Sequence, residues 1–90
     1  MLAVALLLLA GCVATPPPVQ EMSDARQAVT AAREAGADKL APQVYRRSVS
    51  MLRNAEGTLD RRRFKQARDQ ALAARRLAIQ ALRNSTSETP

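Results

Sequence analysis

The sequence is most informative in what it lacks. It contains no His and no Trp, and only one Cys, one Tyr and one Phe. A disulfide needs two cysteines, zinc and haem sites are built from His and Cys, and a Ser-His-Asp triad or a Cys-His pair needs His. A chain of 90 residues also has room for only one domain. These absences exclude a disulfide scaffold, argue against a metal site or cofactor, and predict that the protein is not an enzyme.

The N-terminus carries the only long apolar run. Residues 1–10 are all apolar, and the run ends in Leu9-Ala10-Gly11-Cys12. It is too short to span a bilayer, which takes about 20 helical residues, but it has the length of the hydrophobic part of a signal peptide. The alternative is a buried apolar helix with an incidental cysteine, although the three prolines at 16–18 would end such a helix at once.

The segment Leu9-Ala10-Gly11-Cys12 resembles a bacterial lipobox. The resemblance implies that residues 1–11 are a signal peptide cleaved between Gly11 and Cys12. It also implies a diacylglyceryl group on the Cys12 thiol and an acyl chain such as palmitate on the new amino group. Val13, where retained lipoproteins carry Asp, favours the periplasmic face of the outer membrane, with the inner membrane as the alternative. Because no residue before Arg26 is basic, we expect the true N-terminus to lie upstream of Met1.

Residues 12–20 contain the three consecutive prolines and are predicted to form a tether. A polyproline segment of this length reaches about 25 Å, which would keep the folded part close to the membrane. A leader with no spacing role fits the same residues equally well.

Residues 21–83 are rich in Ala, Arg, Leu, Gln and Glu, and they contain no alternating β pattern. We predict an all-α domain of three helices, a helical hairpin plus one. The first ends near Ala35 with Gly36 closing it, and Pro42 opens the second. The predicted buried faces are Met22, Ala25, Val29 and Ala32 in the first helix, Tyr45, Val49, Leu52, Ala55 and Leu59 in the second, and Phe64, Ala67, Ala71, Ala74, Ala78 and Ala81 in the third.

The third helix is predicted over residues 61–83. Asp60 would be its N-cap, and Leu59 and Phe64 would form a hydrophobic staple. The polar residues from Asn84 onward end the pattern, so residues 84–90 are predicted to be a disordered tail. A stripe of alanine lets helices approach closely but buries little area, so we expect modest stability, with self-association or a partner supplying further burial.

The helical body also resembles a known family. The residues that carry the resemblance are Ala35-Gly36-Ala37, Leu40-Ala41-Pro42-x-x-Tyr45, Leu52-x-x-Ala55 and Phe64-x-x-Ala67-x-x-x-Ala71. They look like a domain of unknown function in small Gram-negative envelope lipoproteins, and the pattern is similar to a tetratricopeptide hairpin. Some relatives carry this domain beside a peptidoglycan-binding OmpA-like domain. The resemblance implies a tetratricopeptide-like fold and an envelope location, and it is nearly silent on activity.

The positive charge lies in the second half of the body. Residues 46–83 hold ten Arg and one Lys against three carboxylates, whereas residues 21–45 carry a net charge of −1. The triplet at 61–63 would lie in the first turn of the third helix, where the macrodipole disfavours cations, which is a mild hint of function. We predict a face for an anionic partner formed by Arg61, Arg62, Arg63, Lys65, Arg68, Arg75, Arg76 and Arg83. The alternative is a solvated face that keeps the protein soluble.

Two functions follow from these features. The first is an outer-membrane-anchored periplasmic lipoprotein that acts as a helical adaptor or envelope-organising protein, with an envelope protein or a second copy as partner. The second is a module that binds lipid headgroups, or alternatively an anionic polymer, through its Arg-rich helices. An isoelectric point near 11.1 would suggest nucleic acid for a cytosolic protein, but export excludes that partner.

Overall fold

The computed structural model describes residues 15–87, and within them the chain is helical and contains no strand. The helices are α1 (Val19–Glu34), α2 (Ala37–Leu40), α3 (Pro42–Asp60) and α4 (Phe64–Ser87). The predicted all-α fold is confirmed. The three long helices match the three predicted ones, and α2 is a single turn in the α1–α3 connection that the sequence pattern did not predict.

The predicted boundary between α1 and α3 is confirmed. Ala35 caps α1, and Gly36 follows it with φ of 84°, the left-handed conformation that glycine adopts without a steric penalty. The Gly36 N–H donates to the carbonyl of Arg33 at 2.9 Å, which satisfies one of the free carbonyls at the helix end. Pro42 occupies the first turn of α3, where its missing N–H costs nothing.

The start of α1 differs from the prediction. The helix begins at Val19, so the last two residues assigned to the tether are helical. Pro18, just before the helix, is fully buried, and its carbonyl accepts a hydrogen bond from the Met22 N–H at 3.0 Å. The end of the proline segment therefore belongs to the folded unit rather than to a free linker.

The core is an alanine seam. Helix α4 packs against both α1 and α3, and α1 also contacts α3. The predicted stripe on α4 is confirmed, although Phe64 at its start is only half-buried. The fully buried alanines of the described residues are Ala25, Ala32, Ala37, Ala55, Ala67, Ala71, Ala74, Ala78 and Ala81. Larger apolar side chains, among them Tyr45, Val49, Leu52 and Leu59, pack around this seam and are only partly buried.

The turn between α3 and α4 overturns the predicted helix start. Asp60 is the last residue of α3 and not the N-cap of the next helix, so the staple that depended on it is also wrong. Arg62 is left-handed at φ of 61°, and its N–H donates to the Leu59 carbonyl at 2.9 Å. The Arg63 N–H donates to the Thr58 carbonyl at 3.2 Å. These two bonds form a Schellman motif, the ending that usually requires glycine at the left-handed position.

Helix α4 ends later than predicted. It continues through Ser87, four residues past the expected end at Arg83, so residues 84–87 are helical rather than a disordered tail. The Ser85 Oγ donates to the Ala81 carbonyl at 2.7 Å, and Ser85 is buried. Thr86 and Ser87 make similar bonds to the carbonyls of Arg83 and Asn84. Hydroxyls that bond to their own helix in this way do not have to end it.

Candidate functional site

The predicted lipidation and cleavage site lies outside the described residues. Gly11 and Cys12 precede residue 15, so the lipobox stays a prediction from the sequence. Within residues 15–87, none of the helices has the length and apolarity needed to cross a membrane. In the same part of the chain, no three His, Cys, Asp or Glu side chains are grouped so that they could hold a metal ion.

Residues 61–63 form the α3–α4 turn instead of the first turn of a helix. Arg61 caps the C-terminus of α3 and Arg62 follows it, so both cations lie where the macrodipole favours positive charge. Arg63 precedes α4, and its carbonyl accepts the N–H of Ala67 at 2.9 Å. The argument that this triplet is placed against a local electrostatic preference is therefore wrong for Arg61 and Arg62, and it applies only to Arg63 at the N-terminus of α4.

Arg68 has a partner within the chain. Its Nε donates to Glu21 Oε2 on α1 at 3.2 Å, and its Nη2 donates to the carbonyl of Pro16 at 3.3 Å. The two side chains of this ion pair are 29% and 28% exposed. Arg68 thus connects α4 to the start of α1 and to the first residue of the proline segment. A second, more exposed ion pair joins Arg26 on α1 to Glu56 on α3 at 3.9 Å.

The other predicted basic residues fall into separate groups on the surface. Arg62, Arg63 and Lys65 line an open pocket of about 650 Å³ together with the acidic residue Asp69 and with Thr15, which is the first described residue of the chain. Arg76 and Arg83 line a shallow pocket on the outer side of α4, seven residues apart and opposite the alanine seam. Arg75 is exposed on the same helix. The pocket-lining residues belong to two different pockets, and the face for an anionic partner stays a prediction from the sequence.

A groove between α3 and α4 was missed by the sequence reasoning. Two open pockets of about 490 and 320 Å³ share Asn54 and follow the seam between these helices. We call this surface the α3/α4 groove. Helix α3 and its cap line it between Gln43 and Arg61, and α4 lines it with Gln66, Gln70 and Leu77. At 1.5 Å per residue, the α3 side is about 27 Å long. None of its lining residues belongs to α1.

All charged residues that line the α3/α4 groove have the same sign. They are Arg46, Arg47, Arg53 and Arg61, and no carboxylate among the described residues lines either pocket. Half-buried Met51 and Leu77 supply the apolar part of the surface. A signal for this arrangement was present in the sequence. Seven residues separate Arg46 from Arg53, and fourteen separate Arg47 from Arg61. Spacings of seven and fourteen place the members of each pair on the same side of a helix.

One family comparison identifies the chain. A model described as a domain of unknown function (DUF4398) matches residues 20–89. The chain belongs to this family. The match takes in nearly all of the four helices, so the expected resemblance to a domain of unknown function is confirmed for the whole helical body. No curated protein and no solved structure matches this chain.

Proposed function

We propose that this DUF4398 protein is a lipid-anchored protein of the bacterial outer membrane that faces the periplasm, and that its helical domain is an adaptor for another envelope protein. The proposal of a lipid anchor rests on the sequence Leu9-Ala10-Gly11-Cys12, which follows an apolar run and places the single cysteine of the chain at the acceptor position. The covalent diacylglycerol and N-acyl chain would together give stable attachment, which one chain alone does not.

The helical body supports an adaptor role. Helices α3 and α4 form an antiparallel pair joined by a short turn, with an alanine seam that brings their backbones close together. In this proposal the pair is a tetratricopeptide-like hairpin, a unit that buries a continuous core only when further helices stack on it. We therefore assign the domain a binding role and no catalytic one, in keeping with the absence of His from the sequence.

The anchor and the folded domain must lie close together if Cys12 is lipidated. Pro16 is tied to Arg68 through its carbonyl, and Pro18 is buried. The four residues from Cys12 to Pro16 span at most about 14 Å when fully extended. The domain would therefore rest near the headgroups, with its α3–α4 turn at the same end as the anchor.

The anchor is tested by Cys12→Ser in the bacterium, with Thr15→Ser as the matched control outside the lipobox. We expect the wild type and the control to fractionate with membranes and to carry lipid mass on a chain that begins at Cys12. The Cys12→Ser protein should be released. Membrane attachment of the Cys12→Ser protein that persists in high salt would show that the anchor assignment is wrong.

A specific observation favours headgroup binding as the second candidate function. Thr15 lines the same open pocket as Arg62, Arg63 and Lys65, together with Asp69. Thr15 is at most about 11 Å along the chain from Cys12, so a lipidated Cys12 would hold this basic end of the domain near the membrane. Basic residues close to an anionic membrane contribute about 1 kcal/mol each. Contact with anionic headgroups at this end of the domain would orient it on the membrane.

Headgroup binding is tested on protein that carries Cys12→Ser, with vesicles that contain phosphatidylglycerol. Replacement of Arg62, Arg63 and Lys65 by Gln should abolish sedimentation with the vesicles at low salt. The matched control replaces Arg75, Arg76 and Arg83 by Gln, which removes the same charge elsewhere. Equal losses in the two variants, or no loss in either, would refute a specific headgroup site at the turn.

A further inference from the structure

The charged residues that line the α3/α4 groove are all positive, and the α3 side of the groove also carries small residues. Four arginines and no carboxylate of the described chain line it. Ser50 and Gly57 are seven residues apart on α3, so they lie on the same side of the helix. Side chains this small allow another backbone to approach α3 closely, and Met51 and Leu77 offer apolar contact beside them.

No neighbouring atom of the described structure requires a glycine at position 57. Gly57 lies inside α3, where glycine weakens a helix relative to alanine. A Cβ atom built at Gly57 meets nothing within 4 Å, so no neighbouring side chain or backbone of the described structure requires its absence. The open space at Gly57 is the groove itself, so the missing side chain leaves room there for another backbone to approach α3.

Gln70 supplies a third observation at the same place. Its Oε1 atom is buried, and no hydrogen-bond donor among residues 15–87 reaches it. Gln70 lines the same end of the groove as Gly57 and Arg61. An oxygen buried this deeply is out of reach of a donor from outside the chain, so Gln70 marks this end of the groove as a reporter position and not as a hydrogen-bonding site.

We infer that the α3/α4 groove binds an acidic amphipathic helix of a partner protein. The inference builds on the proposed adaptor function and names the surface and the partner class. The 27 Å length suits a helix of about 18 residues, whose carboxylates would meet the arginine rim and whose apolar side chains would meet Met51 and Leu77. A second copy of this chain is disfavoured as occupant, since its helices α3 and α4 are basic and the apolar face of its more acidic helix α1 is already buried in its own core.

The test uses the full chain in nanodiscs of neutral phosphatidylcholine, labelled with ¹⁵N. The probe is a synthetic 18-residue helical peptide with Leu at three- and four-residue spacing and Glu on both sides of that Leu stripe. We expect saturable shifts of the Gly57 amide and of the Gln70 side-chain amide. Arg47→Gln with Arg61→Gln should weaken binding by about tenfold or more. The matched pair Arg75→Gln with Arg76→Gln, which removes the same charge outside the groove, should leave the affinity unchanged.

A second pair of variants separates packing from charge. Gly57→Ala should raise the melting temperature of the chain, whereas Gly57→Leu should keep the fold and abolish peptide binding, because the larger side chain fills the groove. Absence of shifts at Gly57 and Gln70 up to 1 mM peptide, or equal weakening by both arginine pairs, would overturn the inference. Equally tight binding of polyglutamate would assign the groove to anionic polymers instead.

The groove inference and the proposed adaptor function fail in different ways. If nanodiscs that contain phosphatidylglycerol shift Gly57 and Gln70 while the peptide does not, the groove is a headgroup site and the inference is wrong. If the peptide fails but Cys12-dependent membrane attachment is intact, the anchor assignment stands and the adaptor surface lies elsewhere. If Cys12→Ser leaves attachment unchanged while the peptide binds, the anchor is wrong and the groove assignment stands.

Discussion

At the scale of single residues, two positions with positive φ end the helices that precede the main turns. Gly36 ends α1 with φ of 84°, and Arg62 ends the α3 turn with φ of 61°. Gly36 was predictable because glycine is the usual residue at this position. Arg62 was not, since arginine gives no sequence signal for a left-handed conformation that costs a non-glycine residue about 1–2 kcal/mol.

The conformation of Arg62 predicts a stabilising substitution. Arg62→Gly should raise the free energy of unfolding by about 1 kcal/mol, because glycine adopts positive φ without the clash of a Cβ atom. The control is Arg61→Gly, which removes the same charge at a residue with φ of −83°. That variant should lower the stability. Urea unfolding followed by circular dichroism checks both, and a destabilised Arg62→Gly protein would contradict the account of the turn.

Alanine substitutions at two glycines should change the stability of the chain in opposite directions. Gly57→Ala should stabilise the chain by about 0.5–1 kcal/mol, because Gly57 is inside a helix and its Cβ position is open. Gly36→Ala should destabilise it by about 1 kcal/mol. Its Cβ would lie 3.7 Å from Leu40 Cδ1, an ordinary contact, so the loss comes from φ rather than from crowding. Thermal unfolding of the two variants beside the wild type measures the contrast.

At the scale of elements, the alanine stripe was the strongest sequence signal. Apolar residues at three- and four-residue spacing identify the buried face of a helix, and Ala67 to Ala81 on α4 follow that spacing and are fully buried. The helix ends were weaker signals. The polar residues at 84–87 look like a terminating tail in the sequence, but their hydroxyls bond to the preceding turn and Ser85 is buried. Only the packing of α4 decides that the helix continues there.

Because the helices pack closely, the buried alanines of the α4 stripe should not tolerate larger side chains. Ala74→Leu should destabilise the chain by about 1–3 kcal/mol, because Ala74 is fully buried beside Met22, Ala25 and Ala55 and has no room for added carbons. Ala73→Leu is the control at the neighbouring, half-buried position and should change the stability by less than about 0.5 kcal/mol. Equal effects in urea unfolding would contradict close packing at the seam.

At the scale of the whole molecule, the core contains few large side chains. Of the fully buried apolar residues in the described chain, only Met22 is larger than alanine or proline. Alanine burial contributes little free energy per residue, and a single core of this size usually supplies no more than about 3–5 kcal/mol. The composition of the alanine stripe in the sequence leads to the same expectation of modest stability.

We therefore expect the full chain to unfold in one transition, with a free energy of unfolding of about 3–5 kcal/mol. Its melting temperature should not change over a tenfold range of protein concentration, because the basic surfaces of two copies repel each other. Circular dichroism at 222 nm during heating measures both quantities. A melting temperature that rises with concentration would show that self-association supplies the missing burial.

The sequence by itself determined the helical fold, the buried stripe, the Gly36 and Pro42 boundaries and the confinement of positive charge to residues 46–83. These are local or periodic properties, fixed by residue type and spacing. The tertiary structure decided the rest. The partner of Arg68, the left-handed Arg62 and the groove at Gly57 each depend on which helix lies beside which, and residues far apart in the sequence set those contacts.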